Sequence, residues 1–197
     1  MMQLTQIVKH LLIINILVYL GTMALPREYF ALYYPGSEHF HPWQIITSMF
    51  MHGSPSHLLF NMLSLFFIGP FMENRLGSKR FLIFYLTSGI GGSILHLLVQ
   101  YYQIQYQGMT YLTEIPVLGA SGAINGLFIG LAYLYPDLEM MLLFLPIPIK
   151  AKYMAIAMVA LDFVYGVTGT QPGIAHFAHL GGALFGLLLI IYWTKYR

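Results

Sequence analysis

Six apolar stretches follow one another along this chain, several of them long enough to cross hydrocarbon as helices, and they leave room for little except a helical membrane bundle. They cover about residues 8–25, 57–72, 80–102, 119–135, 153–167 and 174–193. Lipid offers no partner to an unpaired backbone group, so spans of this kind fold as helices that satisfy themselves internally. A soluble domain carries about 25% charged residues; here only 8% are charged and 58% are hydrophobic. The reading is therefore an all-α membrane protein, one domain over residues 1–197 with six transmembrane helices.

Details along the chain sharpen that reading. Small residues near Gly21 and Ala24 imitate a signal-cleavage site, but the stretch is long and further spans follow, so it is kept as the first helix. Residues 26–56 mix Pro35, Gly36, Pro42, Gly53 and Pro55 with Phe30, Tyr33, Tyr34, Phe40 and Trp43, which predicts an ordered loop at the membrane interface. Residues 140–152 are apolar but interrupted by Pro146 and Pro148, and are expected to lie at the interface without spanning. The fourth stretch is short for a full crossing. Such a helix can begin below the surface if the segment before it is buried in protein or lines a wet cavity.

Charge gives an orientation. Lys9, Arg75, Lys79, Arg80, Lys150, Lys152, Lys195 and Arg197 fall on one side of the six-span arrangement and Arg27 on the other, so both termini are expected in the cytoplasm. Spans two, four and six then run inward from the outer leaflet. A net charge of +2 is too small to argue for nucleic acid, and the absence of cysteine excludes disulfides, thiolate metal sites and a Cys nucleophile.

The polar residues inside these spans collect at one depth. His57 and Asn61 open span two, Ser121 in Gly119-Ala120-Ser121-Gly122 opens span four, and His179 lies in the first turns of span six. Gly122, Gly126 and Gly130 on span four, with Gly182 and Gly186 on span six, make ridges of small residues that let two helices approach closely. Ser121 adjoins one ridge and His179 stands a turn above the other, so contact between them is expected. A serine hydroxyl needs a base to become a nucleophile, and a neutral imidazole is the usual one. His57 and Asn61, one helical turn apart, can direct N–H groups at the oxyanion of a tetrahedral intermediate, with loop amides before Ser121 adding to them.

Each signal has a plainer reading. A Gly-x-Ser-Gly tetrapeptide recurs by chance in glycine-rich chains, and this one is not the Gly-x-Ser-x-Gly elbow of soluble hydrolases, since position 123 is Ala. His57 with Asn61 could be a simple interhelical hydrogen bond. His176 is a rival base, one turn before His179. Asp162, the one acid within a span, is expected to be a structural partner for a neighbouring helix, so the site reads as a Ser–His dyad without an acid. His52 and His57 lack the Glu of a His-Glu-x-x-His zinc motif, and no metal or other cofactor is expected. His39, His41 and His96 read as loop or interface residues without a role.

Taken in order, His57-Leu58-Leu59-Phe60-Asn61, Glu73-Asn74-Arg75-Leu76-Gly77 in the loop after span two, Gly119-Ala120-Ser121-Gly122, and Ala178-His179 followed by Gly182 and Gly186 resemble the rhomboid family of intramembrane serine proteases. The resemblance implies Ser121 as nucleophile, His179 as general base, and His57 with Asn61 as oxyanion stabilisers. It also implies a compact six-helix, rhomboid-like bundle whose short fourth helix starts inside the membrane, beneath a wet cavity open to the outside. Substrates would be membrane-anchored proteins cut in or near their own transmembrane segment, with lipids as the other partners. Two positions depart from the family pattern: Trp43 is followed by Gln44 where Arg is common, and Asn125 replaces the aromatic residue that often packs on the catalytic histidine one turn after the serine. Span five, or residues 169–173, is the expected gate. The rivals are an inactive relative that binds membrane proteins without cutting them, and a small transporter. The small single-domain design points to a bacterial plasma membrane.

Overall fold

The computed structural model of the chain describes residues 3–142, 145–171 and 173–196. Six long helices dominate: α1 (Gln6–Gly21), α3 (Pro55–Leu76), α4 (Ser78–Gln107), α5 (Ser121–Leu134), α6 (Ala151–Thr168) and α7 (His176–Tyr196), with a short α-helical turn, α2 (Gln44–Thr47), between two 3-10 turns in the first loop. Among the described residues, α3, α4, α6 and α7 are long and apolar enough to cross a membrane, and α1 and α5 are shorter apolar helices. The fold is that of a multi-span helical membrane protein.

Helix ends follow local chemistry. Ser54 caps α3 by accepting from the His57 amide, with Pro55 at the first helical position. α4 ends at Gly108 in the left-handed conformation, φ 70°. The Glu73-Asn74-Arg75-Leu76 segment, expected in a loop, forms the last turn of α3. Its purpose there is visible in Glu73, which is 3% exposed. The carboxylate accepts from the Ile7 and Val8 amides at 3.0–3.1 Å and from Ser78 Oγ at 2.6 Å, so one helix supplies the acid that satisfies the orphan N–H groups of another.

One element departs from an all-helical chain. Residues 140–152 do not lie as a simple apolar segment: β1 (Glu139–Leu142) and β2 (Leu145–Lys150) form an antiparallel hairpin with Glu139 opposite Lys150 and Met140 opposite Ile149. A two-stranded ribbon has a free edge on each strand, so Pro146 and Pro148, which break a helix, are tolerated. Asp137 closes its base, with Lys150 and Lys152 at 3.1 and 2.8 Å.

α5 is the axis of the molecule. Nine of its 14 residues are buried, and it packs against α3, α4, α6 and α7. Fourteen residues span about 21 Å at 1.5 Å per residue, short of a bilayer core of about 30 Å. The segment before it is extended and tied to the first loop: Leu32 and Val117 exchange backbone hydrogen bonds at 2.9 and 2.8 Å, and the Gly119 amide donates to Ser48 O at 2.9 Å. Non-helical backbone at this depth is thus paired with protein, as burial in lipid requires.

The glycine ridges work as expected, with an addition. A Cβ on Gly182 would strike the Gly122 carbonyl oxygen, and one on Gly186 would lie 2.8 Å from Gly126 Cα. Gly130 faces elsewhere, toward Met72 and Phe84. The addition is α4. A Cβ on Gly92 would come within 2.6 Å of Ala178 O, and one on Gly181 within 2.6 Å of Gly91 O, so three helices cross at near backbone contact directly below the polar cluster.

Candidate active site

Ser121 is the first residue of α5 and His179 lies in the first turn of α7. The crossing of the two helices sets His179 Nε2 2.8 Å from Ser121 Oγ, a hydrogen bond of normal length. His57 stands on the other side of Gly119. A Cβ at Gly119 would sit 2.8 Å from His57 Nε2 and 3.6 Å from Ser121 Oγ, so the missing side chain leaves the gap between them open. Gly119 also has φ of 127°, which favours glycine on its own account.

The tautomer of His57 follows from its neighbours. The Gly53 amide donates to His57 Nδ1 at 3.4 Å, a long contact that makes Nδ1 the acceptor and leaves the proton on Nε2, the edge toward Gly119 and Ser121. Asn61, one turn on, donates from Nδ2 to His57 O at 2.8 Å. An amide nitrogen carries two hydrogens, so a second one stays free for another acceptor. His52 lies edge-on to His57 at 5.0 Å between ring centroids. Its own pKa is pushed down to about 4 by burial first and by His57 next, partly offset by the Phe50 backbone, which keeps the ring neutral beside the site.

A cavity of about 20 Å³ adjoins Ser121, lined by Ser48, Ser93, Gly119, Gly122, Ala175 and Ala178 among others. That is room for one water, for which about 10–15 Å³ suffices.

Both departures from the expected pattern have a structural answer. Gln44 is fully buried and replaces an arginine's anchoring with three backbone contacts: its Nε2 donates to Glu28 O and His39 O at 2.7 Å each, and its Oε1 accepts from the Tyr33 amide at 3.2 Å. Trp43 beside it donates to Tyr29 O at 2.8 Å and stacks on His41. His41, read as having no role, is therefore the middle ring of a Tyr29–His41–Trp43 stack. Asn125 does not reach the His179 ring; its Nδ2 donates to Ser121 O at 2.9 Å, within its own helix. His96 sits within α4 and not in a loop.

The contact that sequence reasoning underrated is Asp162 on α6. Its Oδ1 lies 2.7 Å from His176 Nδ1 and 3.0 Å from His179 Nδ1. His176, the rival base, is thereby committed to Asp162 through Nδ1, and its Nε2 is buried without a partner. Asp162, His176 and His179 offer ligand atoms within 4.8 Å of one another, the one such group among the described residues. Ligand atoms around a tetrahedral zinc stand about 3.3 Å apart, given bonds of about 2.0 Å; the 2.7 and 3.0 Å contacts are hydrogen-bond separations, so the cluster as it stands is closed around protons.

A helical membrane fold in which a serine at the start of a central helix meets a histidine of a neighbouring helix defines a class, and comparison with known proteins agrees with it. The Rhomboid domain model matches residues 39–196. The rhomboid protease AarA of Providencia stuartii is 32% identical over 155 residues, 76% of this chain and 55% of that protein. The putative rhomboid protease YdcA of Bacillus subtilis is 36% identical over 151 residues, 75% of this chain and 65% of the relative. RHOMBOID-like protein 4 of Arabidopsis thaliana is 35% identical over 150 residues, covering 75% of this chain and 33% of the relative. The chain belongs to the rhomboid family. It spans between a third and two thirds of these relatives' own lengths.

Proposed function

We propose that this chain is an intramembrane serine endopeptidase that cuts membrane-anchored proteins in or near their transmembrane segment. The observation that carries the reading is the 2.8 Å contact between Ser121 Oγ and His179 Nε2, with His57 Nε2 across the gap left by Gly119. Names of relatives such as the rhomboid protease AarA support the same class of activity.

The reaction would run as acyl transfer. His179 Nε2 takes the hydroxyl proton as Ser121 Oγ adds to the scissile carbonyl carbon. The oxyanion that forms accepts hydrogen bonds from His57 Nε2–H and the free Asn61 amide hydrogen, with the unpaired N–H groups at the start of α5 adding positive potential. His179 then gives its proton to the leaving nitrogen as the C–N bond breaks. Water adds to the acyl ester with His179 again accepting the proton, and collapse releases the acid and restores Ser121. A peptide bond in a stable helix is shielded, so the substrate must unwind locally before attack. We place the site near the outer leaflet of a six-span domain with cytoplasmic termini, on the distribution of basic residues.

A fluorophosphonate probe tests the nucleophile. Wild type should label, Ser121→Ala and His179→Ala should not, and mass spectrometry of a co-expressed single-span substrate should find one cut near its outer end. Absence of labelling in folded wild type, with substrate bound but intact, would replace the protease reading with the binding one.

A further inference from the structure

A base that works through Nε2 must carry its own proton on Nδ1, and some acceptor has to hold it there. The residue one turn after the serine does not: Asn125 hydrogen-bonds back to Ser121 O. Neither does another group on α7, where His176 shares the same acceptor and competes for it. The acceptor comes from a different helix. Asp162, seventeen residues before His179, projects from α6 and meets His179 Nδ1 at 3.0 Å.

We propose that Asp162 is a positioning residue for catalysis, holding His179 with Nδ1 protonated and Nε2 turned to Ser121, so that the site operates as a Ser–His–Asp chain assembled from three helices. This rests on the Ser121–His179 reading above and extends it. An ionised carboxylate accepts only, so two Nδ1–H groups on one Oδ1 fix both imidazoles in the same tautomer. For His179 that is the tautomer whose Nε2 lone pair can receive the serine proton. When that proton arrives, the imidazolium faces a carboxylate at hydrogen-bond distance in a site where water is scarce: the two side chains are 17% and 15% exposed. Little reorganisation is then needed as charge develops.

His176 has a part in this. It is 5% exposed, lies near Tyr165 at 5.7 Å between ring centroids, and holds the carboxylate at 2.7 Å. An acid gripped by a buried neighbour has little freedom to swing toward water. The same bonds clasp α6 to α7. α6 is the most exposed of the four long spans, with 17% of its apolar window buried against 39% for the others. Displacing α6 from α7 at this level would therefore separate the acid from the base.

The test uses the full chain in proteoliposomes with a single-span model substrate. Asp162→Asn keeps the shape, removes the charge, and presents an amide hydrogen that favours the opposite tautomer. Its kcat should fall about 10²-fold or more, the known loss in a fully buried soluble triad being about 10⁴, while KM stays within about 3-fold. Asp162→Glu should recover at least a tenth of wild-type kcat. Nitrogen-15 histidine spectra of wild type in micelles should show His179 protonated at Nδ1, and this measurement does not depend on any variant folding. An Nε2–H tautomer in wild type, or wild-type kcat in Asp162→Asn, overturns the proposal while leaving Ser121 and His179 in place. Retention of cleavage by Ser121→Ala would instead remove the reading beneath it.

Discussion

The glycine crossing beneath the site makes Gly182→Ala the sharpest perturbation of the architecture. The added Cβ would overlap the carbonyl oxygen of Gly122 and come within 3.0 Å of its Cα. Those are backbone atoms of a buried helix, which cannot rotate aside. Non-bonded carbon needs about 3.5 Å, so α5 and α7 must part by about 1 Å at this level. Ser121 adjoins Gly122, and His179 is one turn from Gly182, so the displacement falls on the bond at 2.8 Å. Adding about 1 Å carries it past the point where a hydrogen bond survives. A misplacement of that size costs about 10²-fold in rate, and overpacking a tight interface costs about 1–3 kcal/mol of stability. Gly21→Ala is the control, since nothing lies within 4 Å of its Cβ. The measurements are the second-order rate of fluorophosphonate labelling and the thermal unfolding midpoint in detergent. Labelling of Gly182→Ala at the wild-type rate would refute the claim that this crossing sets the serine–histidine distance.

Three further outcomes follow from named contacts. Gln44→Ala leaves two carbonyls and one amide without their buried partner, and should cost about 2–4 kcal/mol, read as a lowered unfolding midpoint and faster proteolysis of the first loop. Glu73→Ala orphans the Ile7 and Val8 amides and should cost about 2–3 kcal/mol, with Glu73→Gln losing less; an unchanged midpoint in either would mean that α1 is capped by something else. His52 makes stability depend on pH. Its folded pKa is about 4 against 6.5 when unfolded, so the unfolded chain binds more protons between those values and stability falls as pH drops through the window, by about 3 kcal/mol in all. His52→Phe should make the fall in the midpoint between pH 6.5 and 4 shallower by the His52 share, and an equally steep profile in that variant would assign the effect to other groups.

How much of this could be read from the chain depends on the range of the interaction. Apolar length and polar breaks are local, so the long helices stand close to where the pattern puts them, displaced by a few residues where a cap decides the end, as Ser54 does for α3. The approach of Ser121 to His179 was legible because glycine ridges and shared depth both pointed to it. The part played by α4 was missed although Ser88 with Gly92 and Gly89 with Ser93 have the same spacing of small residues, because a ridge sought in glycine alone passes over serine. The hairpin at 139–150 was hidden for a different reason: its prolines excluded helix without signalling that a two-stranded ribbon tolerates them. Asp162 and Gln44 share a third kind of concealment. Each acts on backbone or rings from another turn or helix, and only the packing angle reveals which.

That last pair bears on how the site is held in lipid. Where an aromatic ring and an arginine are common in the family pattern, this chain has Asn125 and Gln44, neither of which fills the usual role in the usual way. Gln44 takes over the loop with three uncharged contacts, and the hold on His179 moves across to a carboxylate on α6. Stacking restrains a ring by shape, whereas a carboxylate restrains it by a directed bond and adds charge. The two substitutes differ in what they demand of the helix that bears them. A ring on α5 would travel with Ser121, so His179 would stay seated however α6 moved. An acid on α6 seats His179 only while α6 is home. Introducing Phe at Asn125 in the Asp162→Asn background separates these modes: if orientation of the ring is all that matters, stacking should restore a measurable part of kcat, and if the carboxylate also stabilises the developing imidazolium, the double variant should stay as slow as Asp162→Asn alone.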